Sequence, residues 1–173
     1  MKKRFVPRKG KMYLLSREEQ KEVCKFIMKQ LRKGYIRLLK LPQTTSVFFV
    51  GKKNKKKQMV QDYRYLNEWT VKNNYPLSLI SDIVENIGTK KVFMKMNLQW
   101  RYNNVQIKEG DEWKAAFTTP EGSFKPTVMF FRLINSPATF QTMINKILQN
   151  LINTGKVASF IDDVIISIEE EEG

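Results

Sequence analysis

The sequence predicts an α+β fold in which short strands are joined by tight turns and flanked by helices. Segments near residues 17–33 and 136–151 carry apolar residues at helical spacing between a capping signal and a glycine. Short runs of apolar and β-branched residues alternate with turn-forming stretches such as those at 108–112 and 119–122. An apolar content of 42% over 173 residues is sufficient for a globular core.

The N-terminal third begins with a basic arm, residues 1–13, followed by a helix that we expect over about 17–33. Ser16, with Glu19 three residues later, is typical of a capping box at a helix start. Gly34 is a suitable C-terminal stop. The apolar residues of one helical face are Val23, Phe26, Ile27 and Leu31.

A lysine-rich β-hairpin is expected next. Val47–Val50 and Met59–Asp62 have the composition of strands, and the charged loop GKKNKKKQ between them has to face solvent. Residues 62–76 are expected to form a polar connection. Leu77–Ile87 then has a helical pattern that ends at Gly88.

The second half of the chain adds further strands and one strongly marked helix. Val92–Leu98 alternates like a strand that enters a core, and short strands are expected at Val105–Ile107, Ala115–Thr118 and Ser123–Val128. Ser136 is the predicted N-cap of the helix and Pro137 its first residue. The helical face contains Phe140, Ile144, Ile147, Leu148 and Leu151, with Gly155 beyond the end.

Composition excludes several classes of chemistry. The chain has no histidine and Cys24 is its only cysteine, so internal disulfides, Cys/His zinc sites and Ser-His-Asp triads are excluded. No apolar run is long enough for a membrane helix, and the basic N-terminus lacks the apolar stretch of a signal peptide. We therefore expect an intracellular protein, in cytoplasm or nucleus, that is neither secreted nor bound to a membrane.

The net charge of +14 is concentrated near the N-terminus. Residues 1–57 hold 19 of the 31 lysines and arginines against three acidic residues, whereas residues 58–173 hold 12 against 14. Such asymmetry indicates a polyanionic partner, because lysines along a phosphate backbone gain affinity by releasing counterions. The alternative is that the basic surface only confers solubility.

Asp162 and Asp163 lie between two apolar runs, Val157–Ile161 and Val164–Ile168, which predicts a hairpin with two carboxylates at its tip. One interpretation is an ordinary turn, since aspartate favours turns. The other is a site for divalent cations, because rigid strands can fix hard oxygen ligands in place. A two-metal centre of that kind needs no histidine.

A series of motifs makes the second interpretation specific. In chain order these are SVFFVGKKNKKKQMVQDYRYLN, YPLSLI, FMKMNLQWRYNNVQI, GDEWKAAFTTPEGSF, MFFRLINSPATFQ and FIDD. Their order resembles that of the reverse transcriptases of gypsy-type LTR retrotransposon polyproteins, over about Met12–Glu172. Any one of these motifs alone would be weak evidence.

The resemblance implies a right-hand polymerase in which residues 14–76 are the fingers and residues 77–173 the palm, an antiparallel sheet backed by helices. It implies RNA-directed DNA polymerase activity on an RNA or DNA template–primer, with deoxynucleoside triphosphates as substrates. Family members continue into a thumb, a connection and a ribonuclease H domain, which we expect to be missing after Gly173. No oligomeric state is implied.

Site residues follow from the same resemblance. Asp162 and Asp163 match the metal-binding pair of the Tyr-x-Asp-Asp box, with Phe160 in place of its tyrosine. Two Mg²⁺ or Mn²⁺ ions are expected in the family. The nucleotide-binding positions are matched by Lys52, Arg64, Tyr102 and Gln141.

Alternatives stay open for several of these positions. Tyr102 matches the aromatic residue that selects deoxynucleotides, but an ordinary buried tyrosine at a strand end would fit the sequence equally. Gln141 matches a nucleotide-contacting glutamine, although a polar residue there could face solvent. Lys52 and Arg64 match cationic fingers residues, and Lys52 could approach the triphosphate. Equally, a solvated loop would account for the remaining lysines Lys53, Lys55, Lys56 and Lys57.

The departures from the family concern the catalytic centre. Asn97 stands where the family has a metal-binding aspartate, so a full negative charge is lost, which counts against ion binding and predicts severe impairment. Arg101 and Arg132 replace glycines beside the nucleotide, where a backbone with φ > 0 is expected. Gln58 replaces an arginine, and Lys55 replaces the glycine of the fingers turn.

These observations lead to one main hypothesis and two alternatives. The main one is an impaired RNA-directed DNA polymerase domain. The first alternative is a non-catalytic remnant that binds nucleic acid through its basic N-terminal third. The second is an inactive relic whose pocket cations work against a stable fold.

Overall fold

The structure, a computed structural model, describes residues 1–2, 4–38, 43–51, 57–76, 80–88 and 90–168. Its Cα atoms divide into two compact units. Unit 1 comprises residues 1–71 and 102–134, and unit 2 comprises residues 72–101 and 135–173. Both units therefore draw on residues from either side of the predicted fingers–palm boundary at 76 and 77, and that boundary stays a prediction.

The secondary structure alternates helices with short strands. In chain order the described elements are α1 (Arg17–Arg32), β1 (Ile36–Leu38), β2 (Thr45–Gly51), β3 (Lys57–Gln61), α2 (Arg64–Trp69), α3 (Ile80–Ile87), β4 (Val92–Asn97), β5 (Phe117–Thr119), β6 (Gly122–Pro126), α4 (Ser136–Ile147), α5 (Gln149–Asn153), β7 (Val157–Phe160) and β8 (Asp163–Ile168). Short 3-10 helices span Arg101–Asn104 and Glu112–Ala115. The predicted α+β class is confirmed.

Within the described residues of unit 1, the strands form a five-stranded sheet in the order β1-β6-β5-β2-β3. Strands that follow one another in sequence pair antiparallel in β2–β3 and in β5–β6. The pairing of β2 with β5 is parallel, with Thr45 opposite Phe117. Local sequence patterns cannot predict this parallel pairing, because the two strands are far apart in sequence.

Helix α1 is set by its sequence signals. The Ser16 N–H donates to the Glu19 carboxylate at 2.9 Å, and the Glu19 N–H donates to the Ser16 hydroxyl at 3.3 Å, so the predicted capping box is confirmed. Val23 and Ile27 are buried on one face of the helix. They join a core that also contains Ile36, Val47, Tyr63, Leu66, Ala115, Phe117, Phe124, Val128 and Phe130.

The N-terminal arm is attached to the sheet of unit 1. Lys9 forms a parallel bridge with Thr44, and the Gly10 N–H donates to the Thr44 carbonyl at 2.7 Å. The Arg8 N–H donates to the side-chain oxygen of Gln43 at 2.6 Å. The predicted basic arm is therefore a docked segment, because its backbone groups are satisfied by the sheet.

Two local predictions were wrong, and one strand of unit 1 was missed. Residues 62–76 contain helix α2, where a polar connection was expected; its burial depends on Leu66 and on Tyr63, whose hydroxyl donates to the Ala115 carbonyl. Strand β1 was missed. Instead of a strand, the segment around Gln106 forms an isolated bridge with Val128.

In the described residues of unit 2, an antiparallel sheet has the order β4-β8-β7. The predicted antiparallel sheet backed by a helix is confirmed here, since Phe140 and Ile144 of α4 are buried together with Val157 and Val164 of the sheet. Every residue of β4 is exposed, so the prediction of a strand that enters a core was wrong.

The predicted helix at 136–151 differs in detail. Its N-cap is Asn135, one residue before the expected Ser136, which is fully buried inside the helix. The helix ends at Ile147, and α5 follows after Leu148, so Ile147 and Leu151 are exposed. Helix α3 starts at Ile80, while residues 77–79 of the predicted Leu77–Ile87 helix lie outside the described residues. None of the described helices has the length and apolarity needed to span a bilayer.

Candidate active site

The two adjacent aspartates lie at the tip of the β7–β8 hairpin. Phe160 pairs with Asp163, which leaves Ile161 and Asp162 as a two-residue loop. Ile161 has a φ of 55°, a left-handed conformation that tight hairpin loops require at their first position and that a β-branched residue rarely adopts. The predicted hairpin with carboxylates at its tip is confirmed.

Strand β4 brings Asn97 to the same place. Asn97 pairs with Asp163 in the antiparallel β4–β8 ladder, and its side-chain amide donates to Asp163 Oδ1 at 3.2 Å. The Leu98 N–H donates to the Asp162 carbonyl at 2.7 Å, so the chain after β4 is attached to the hairpin loop. Asp162, Asp163 and Asn97, predicted from separate motifs, thus form one cluster in unit 2.

Two cations complete the cluster. The Lys95 ammonium lies 2.9 Å from Asp163 Oδ2, and the Arg101 guanidinium forms an ion pair with Asp162 Oδ2. The hydrogen bond from Lys95 and then that from Asn97 hold the pKa of the Asp163 carboxyl below its ordinary value. Asp163 is therefore stabilised as a carboxylate by groups of this chain.

The family resemblance implies two divalent ions at this cluster. Among the described residues, Asp162 and Asp163 have no third partner of a metal-binding type, that is, histidine, cysteine, aspartate or glutamate. Asn97 turns an amide N–H donor toward Asp163, whereas a metal needs oxygen acceptors. Because Arg101 and Lys95 already neutralise both carboxylates, the residues present do not fit two divalent ions.

The Gln141 side chain forms hydrogen bonds to the β7–β8 hairpin. It is fully buried in α4, and its side-chain oxygen accepts a hydrogen bond from the Ile161 N–H at 2.6 Å. Its amide nitrogen lies 2.9 Å from Ser159 Oγ and 2.7 Å from Asn145 Oδ1. The alternative of a solvent-facing glutamine was wrong, while a nucleotide contact stays a prediction.

Sequence reasoning missed the polar network around Gln141. The Ser159 hydroxyl donates to Asn145 Oδ1 at 2.7 Å, and the Asn145 amide donates to the Tyr75 hydroxyl at 3.0 Å. Asn145 lies four residues after Gln141, so helical spacing could have indicated this pair. Lys95 was also missed, although its position two residues before Asn97 places both side chains on one strand face.

The remaining predicted nucleotide-binding residues belong to unit 1 or lie outside the described residues. Tyr102 is buried in a 3-10 helix, where its ring meets that of Phe131 edge-on with centroids 5.2 Å apart. The alternative of a buried tyrosine is thus correct about burial but wrong about a strand end, and a role in selecting deoxynucleotides stays a prediction. Lys52, together with Lys53, Lys55 and Lys56, is outside the described residues.

Arg64 forms a two-point ion pair with Asp62. Its Nε lies 2.9 Å from Oδ1 and its Nη2 lies 2.7 Å from Oδ2. This contact lowers the pKa of the Asp62 carboxyl below its ordinary value. The Arg64 side chain stays exposed and borders a groove of about 730 Å³ in unit 1. The arm cations Arg8, Lys9 and Lys11 line the same groove.

The other departures from the family pattern have distinct surroundings. Arg132 has a φ of 72°, so the expectation of a left-handed backbone is confirmed there. At the other arginine the expectation was wrong, because the positive φ belongs to Trp100, one residue before Arg101. Gln58 is exposed on β3 opposite Val50.

Comparison with known proteins gives a consistent result. Residues 50–173 match a family model described as "Reverse transcriptase (RNA-dependent DNA polymerase)". The chain is 36% identical over 141 residues to the transposon Tf2-3 and Tf2-4 polyproteins of Schizosaccharomyces pombe. The matched region covers 82% of this chain and 10% of each polyprotein, so the chain spans a small part of these relatives.

Solved structures give the same fold. The foamy viral protease-reverse transcriptase in complex with an RNA/DNA hybrid has a TM-score of 0.84 and 22% identity, over 96% of this chain and 22% of that one. A form of the enzyme in complex with double-stranded DNA has a TM-score of 0.83 at 22% identity, over 96% of this chain and 29% of that one. The predicted polymerase fold is confirmed by this similarity.

Proposed function

Because the chain belongs to the reverse transcriptase (RNA-dependent DNA polymerase) family, we propose that it is the fingers and palm of a retrotransposon RNA-directed DNA polymerase that binds template–primer but is severely impaired in nucleotidyl transfer. The likeness to transposon polyproteins supports a retrotransposon origin. The complexes of the foamy viral enzyme with nucleic acid support a template–primer as partner.

The observation that carries the proposal is the pairing of Asn97 with Asp163 across β4 and β8. It puts an amide beside two adjacent carboxylates, in a family whose members use two divalent metal ions. Asp162, Asp163 and a carboxylate at position 97 would hold such ions, which would supply charge stabilisation for transfer to the primer 3′-hydroxyl. Losing about 4 kcal/mol of that stabilisation would slow the transfer roughly a thousandfold.

Nucleic-acid binding draws support from the charges of unit 1. The docked arm presents Arg8, Lys9 and Lys11 to one groove, which Arg64 also lines. Asp62 and Glu68 line it too, and Asp62 is already neutralised by Arg64. The surplus of positive charge suits a phosphate backbone, and such binding weakens with added salt because releasing counterions then gains less free energy.

Primer extension on an RNA template tests the polymerase part of the proposal. The chain as given, Asn97→Asp and the isosteric background control Asp162→Asn are compared with Mg²⁺ and with Mn²⁺. We expect no detectable primer extension by the given chain and slow extension by Asn97→Asp. If Asn97→Asp, alone and combined with Arg101→Gly to free Asp162, is folded, binds template–primer and still extends nothing, the residual polymerase function is rejected.

Fluorescence anisotropy with the same template–primer tests the binding part and the alternative of a non-catalytic remnant. Arg8→Gln combined with Lys11→Gln is compared with Lys146→Gln combined with Lys156→Gln, which removes the same charge from exposed positions in unit 2. We expect the first pair to flatten the dependence of log affinity on log salt by about one to two. Equal effects of both pairs would reject the groove as the binding surface.

A further inference from the structure

We propose that Arg101 and Lys95 are built-in counter-ions that take the place of divalent cations at the Asp162–Asp163 pair, so that the hairpin tip is organised without metal. The inference rests on the proposed role of the two aspartates as the family's metal-binding pair. It assigns Arg101 as the residue that decides whether a cation from solution has access to Asp162.

Three of the four carboxylate oxygens of Asp162 and Asp163 are engaged by donors of the same chain. Asp163 accepts from the Lys95 ammonium at one oxygen and from the Asn97 amide at the other, at 2.9 and 3.2 Å. Asp162 is paired with the Arg101 guanidinium. A divalent ion that bound both carboxylates through these three oxygens would have to displace a charged donor from each of them.

The charge of the cluster also opposes a metal. Two carboxylates and two cations sum to zero, and Asn97 adds no charge. Affinity for hard divalent cations increases with the number of charged oxygen ligands, so a neutral cluster has little attraction for them. A guanidinium cannot relieve the repulsion by losing its proton, because it stays charged under all ordinary conditions.

The backbone holds the counter-ions in place. Lys95 and Asn97 alternate with Met96 along β4, so both side chains lie on the face that Asp163 shares in the β4–β8 register. Arg101 follows Trp100, whose φ of 57° turns the chain after the strand. The Leu98 N–H bond to the Asp162 carbonyl attaches this turn to the hairpin loop.

The solvent exposure of the two pairs differs, which identifies the dominant one. The Arg101 side chain is 22% exposed, whereas that of Lys95 is 64% exposed. Ion pairs weaken as water and salt screen them, so the Arg101 pair contributes more than the Lys95 pair. Arg101 is therefore the residue to change first.

Binding of Mn²⁺ to the protein without nucleic acid, followed by electron paramagnetic resonance, tests the inference. The variants are the chain as given, Arg101→Gly and Arg101→Gly combined with Asn97→Asp. Lys156→Gln is the control, since it removes an exposed positive charge of unit 2 away from the carboxylates. Arg101→Gln repeats the charge removal with a long side chain in case the glycine variant does not fold.

We expect the double variant to bind Mn²⁺ at least about tenfold more tightly than the chain as given, with Lys156→Gln unchanged. Mg²⁺ should raise the melting temperature of the double variant and leave that of the given chain unaltered. Binding by the given chain as tight as that of the double variant overturns the inference, as does a folded double variant that binds no Mn²⁺. Because neither readout uses template–primer, failure of the proposed function leaves both results interpretable.

Discussion

The side-chain oxygen of Gln141 accepts a hydrogen bond from the backbone N–H of Ile161, one residue before Asp162. At 2.6 Å this bond links the buried helix α4 to the strained residue of the hairpin loop. Gln141 thereby fixes the position of both aspartates without being exposed itself. A residue expected to contact nucleotide acts in this conformation as a positioning residue.

Gln141→Met should destabilise unit 2 by about 2–4 kcal/mol. The substitution keeps the side-chain volume but leaves polar groups of buried Ser159 and of half-buried Ile161 and Asn145 without their partner. A thermal melt followed by circular dichroism should show a loss of roughly 5–15 °C. Thr142→Ala, at the next and exposed position of α4, is the matched control and should change little. A melting temperature equal to that of the parent would show that the hairpin does not depend on Gln141.

Arg132→Gly should stabilise unit 1 relative to Arg132→Ala by about 1 kcal/mol. Both substitutions remove the guanidinium from above the Phe48 ring, 5.7 Å away, but only glycine adopts a φ of 72° without strain. The difference in unfolding free energy between the two variants, from urea titrations, measures the strain directly. An alanine variant as stable as the glycine variant would contradict it.

The sequence-based predictions succeeded where both partners are close in the chain. The Ser16–Glu19 capping box and the hairpin around Asp162 are local, so their signals lie within a few residues. The pairing of Arg101 with Asp162 joins residues far apart in sequence, and nothing near Arg101 indicates which carboxylate it meets. Helix α2 was missed for the same reason, since it is stabilised by tertiary burial of Leu66.

The same difference between local and long-range interactions applies to the predictions for the candidate active site. The proximity of Asn97 to Asp162 and Asp163 was predictable because family motifs mark these positions, while their metal-binding role stays a prediction. The burial of Gln141 was not predictable, because a glutamine side chain is usually solvent-exposed and its burial depends on partners in β7 and the hairpin loop. Counter-ions contributed by Lys95 and Arg101 depend on strand register and on the turn after β4, which the sequence pattern leaves open.

Arg64→Gln should raise the pKa of the Asp62 carboxyl toward its ordinary value, because the hydrogen bond from Arg64 is the main cause of its depression. In the parent, the folded pKa lies below the unfolded one. The pair therefore stabilises the fold above about pH 4, and this contribution is lost as the pH falls through the folded pKa.

Carbon NMR of the Asp62 carboxyl, followed between about pH 2 and pH 6, measures the effect. Arg37→Gln removes an exposed positive charge from β1 of the same unit and serves as the control. We expect the Asp62 midpoint to move upward in Arg64→Gln alone. Equal midpoints in the parent and Arg64→Gln would mean that the ion pair is absent in solution.

Gly10→Ala should release the basic arm from the sheet of unit 1. A Cβ at Gly10 would lie 2.6 Å from the Ser46 backbone nitrogen and 2.8 Å from its hydroxyl, closer than packed atoms approach. The clash involves backbone, so the arm has to move, and the Gly10 N–H bond to the Thr44 carbonyl is lost with it.

Limited trypsin digestion measures the release, since Arg8, Lys9 and Lys11 are cleavage points within the arm. A local loss of about 1–2 kcal/mol should speed cleavage there roughly fivefold or more. Gly51→Ala is the matched control, because no heavy atom of the described residues lies within 4 Å of its added Cβ. As the arm lines the basic groove, Gly10→Ala should weaken template–primer binding too. Faster cleavage with unchanged binding would separate the arm from the nucleic-acid surface and leave that surface to other cations.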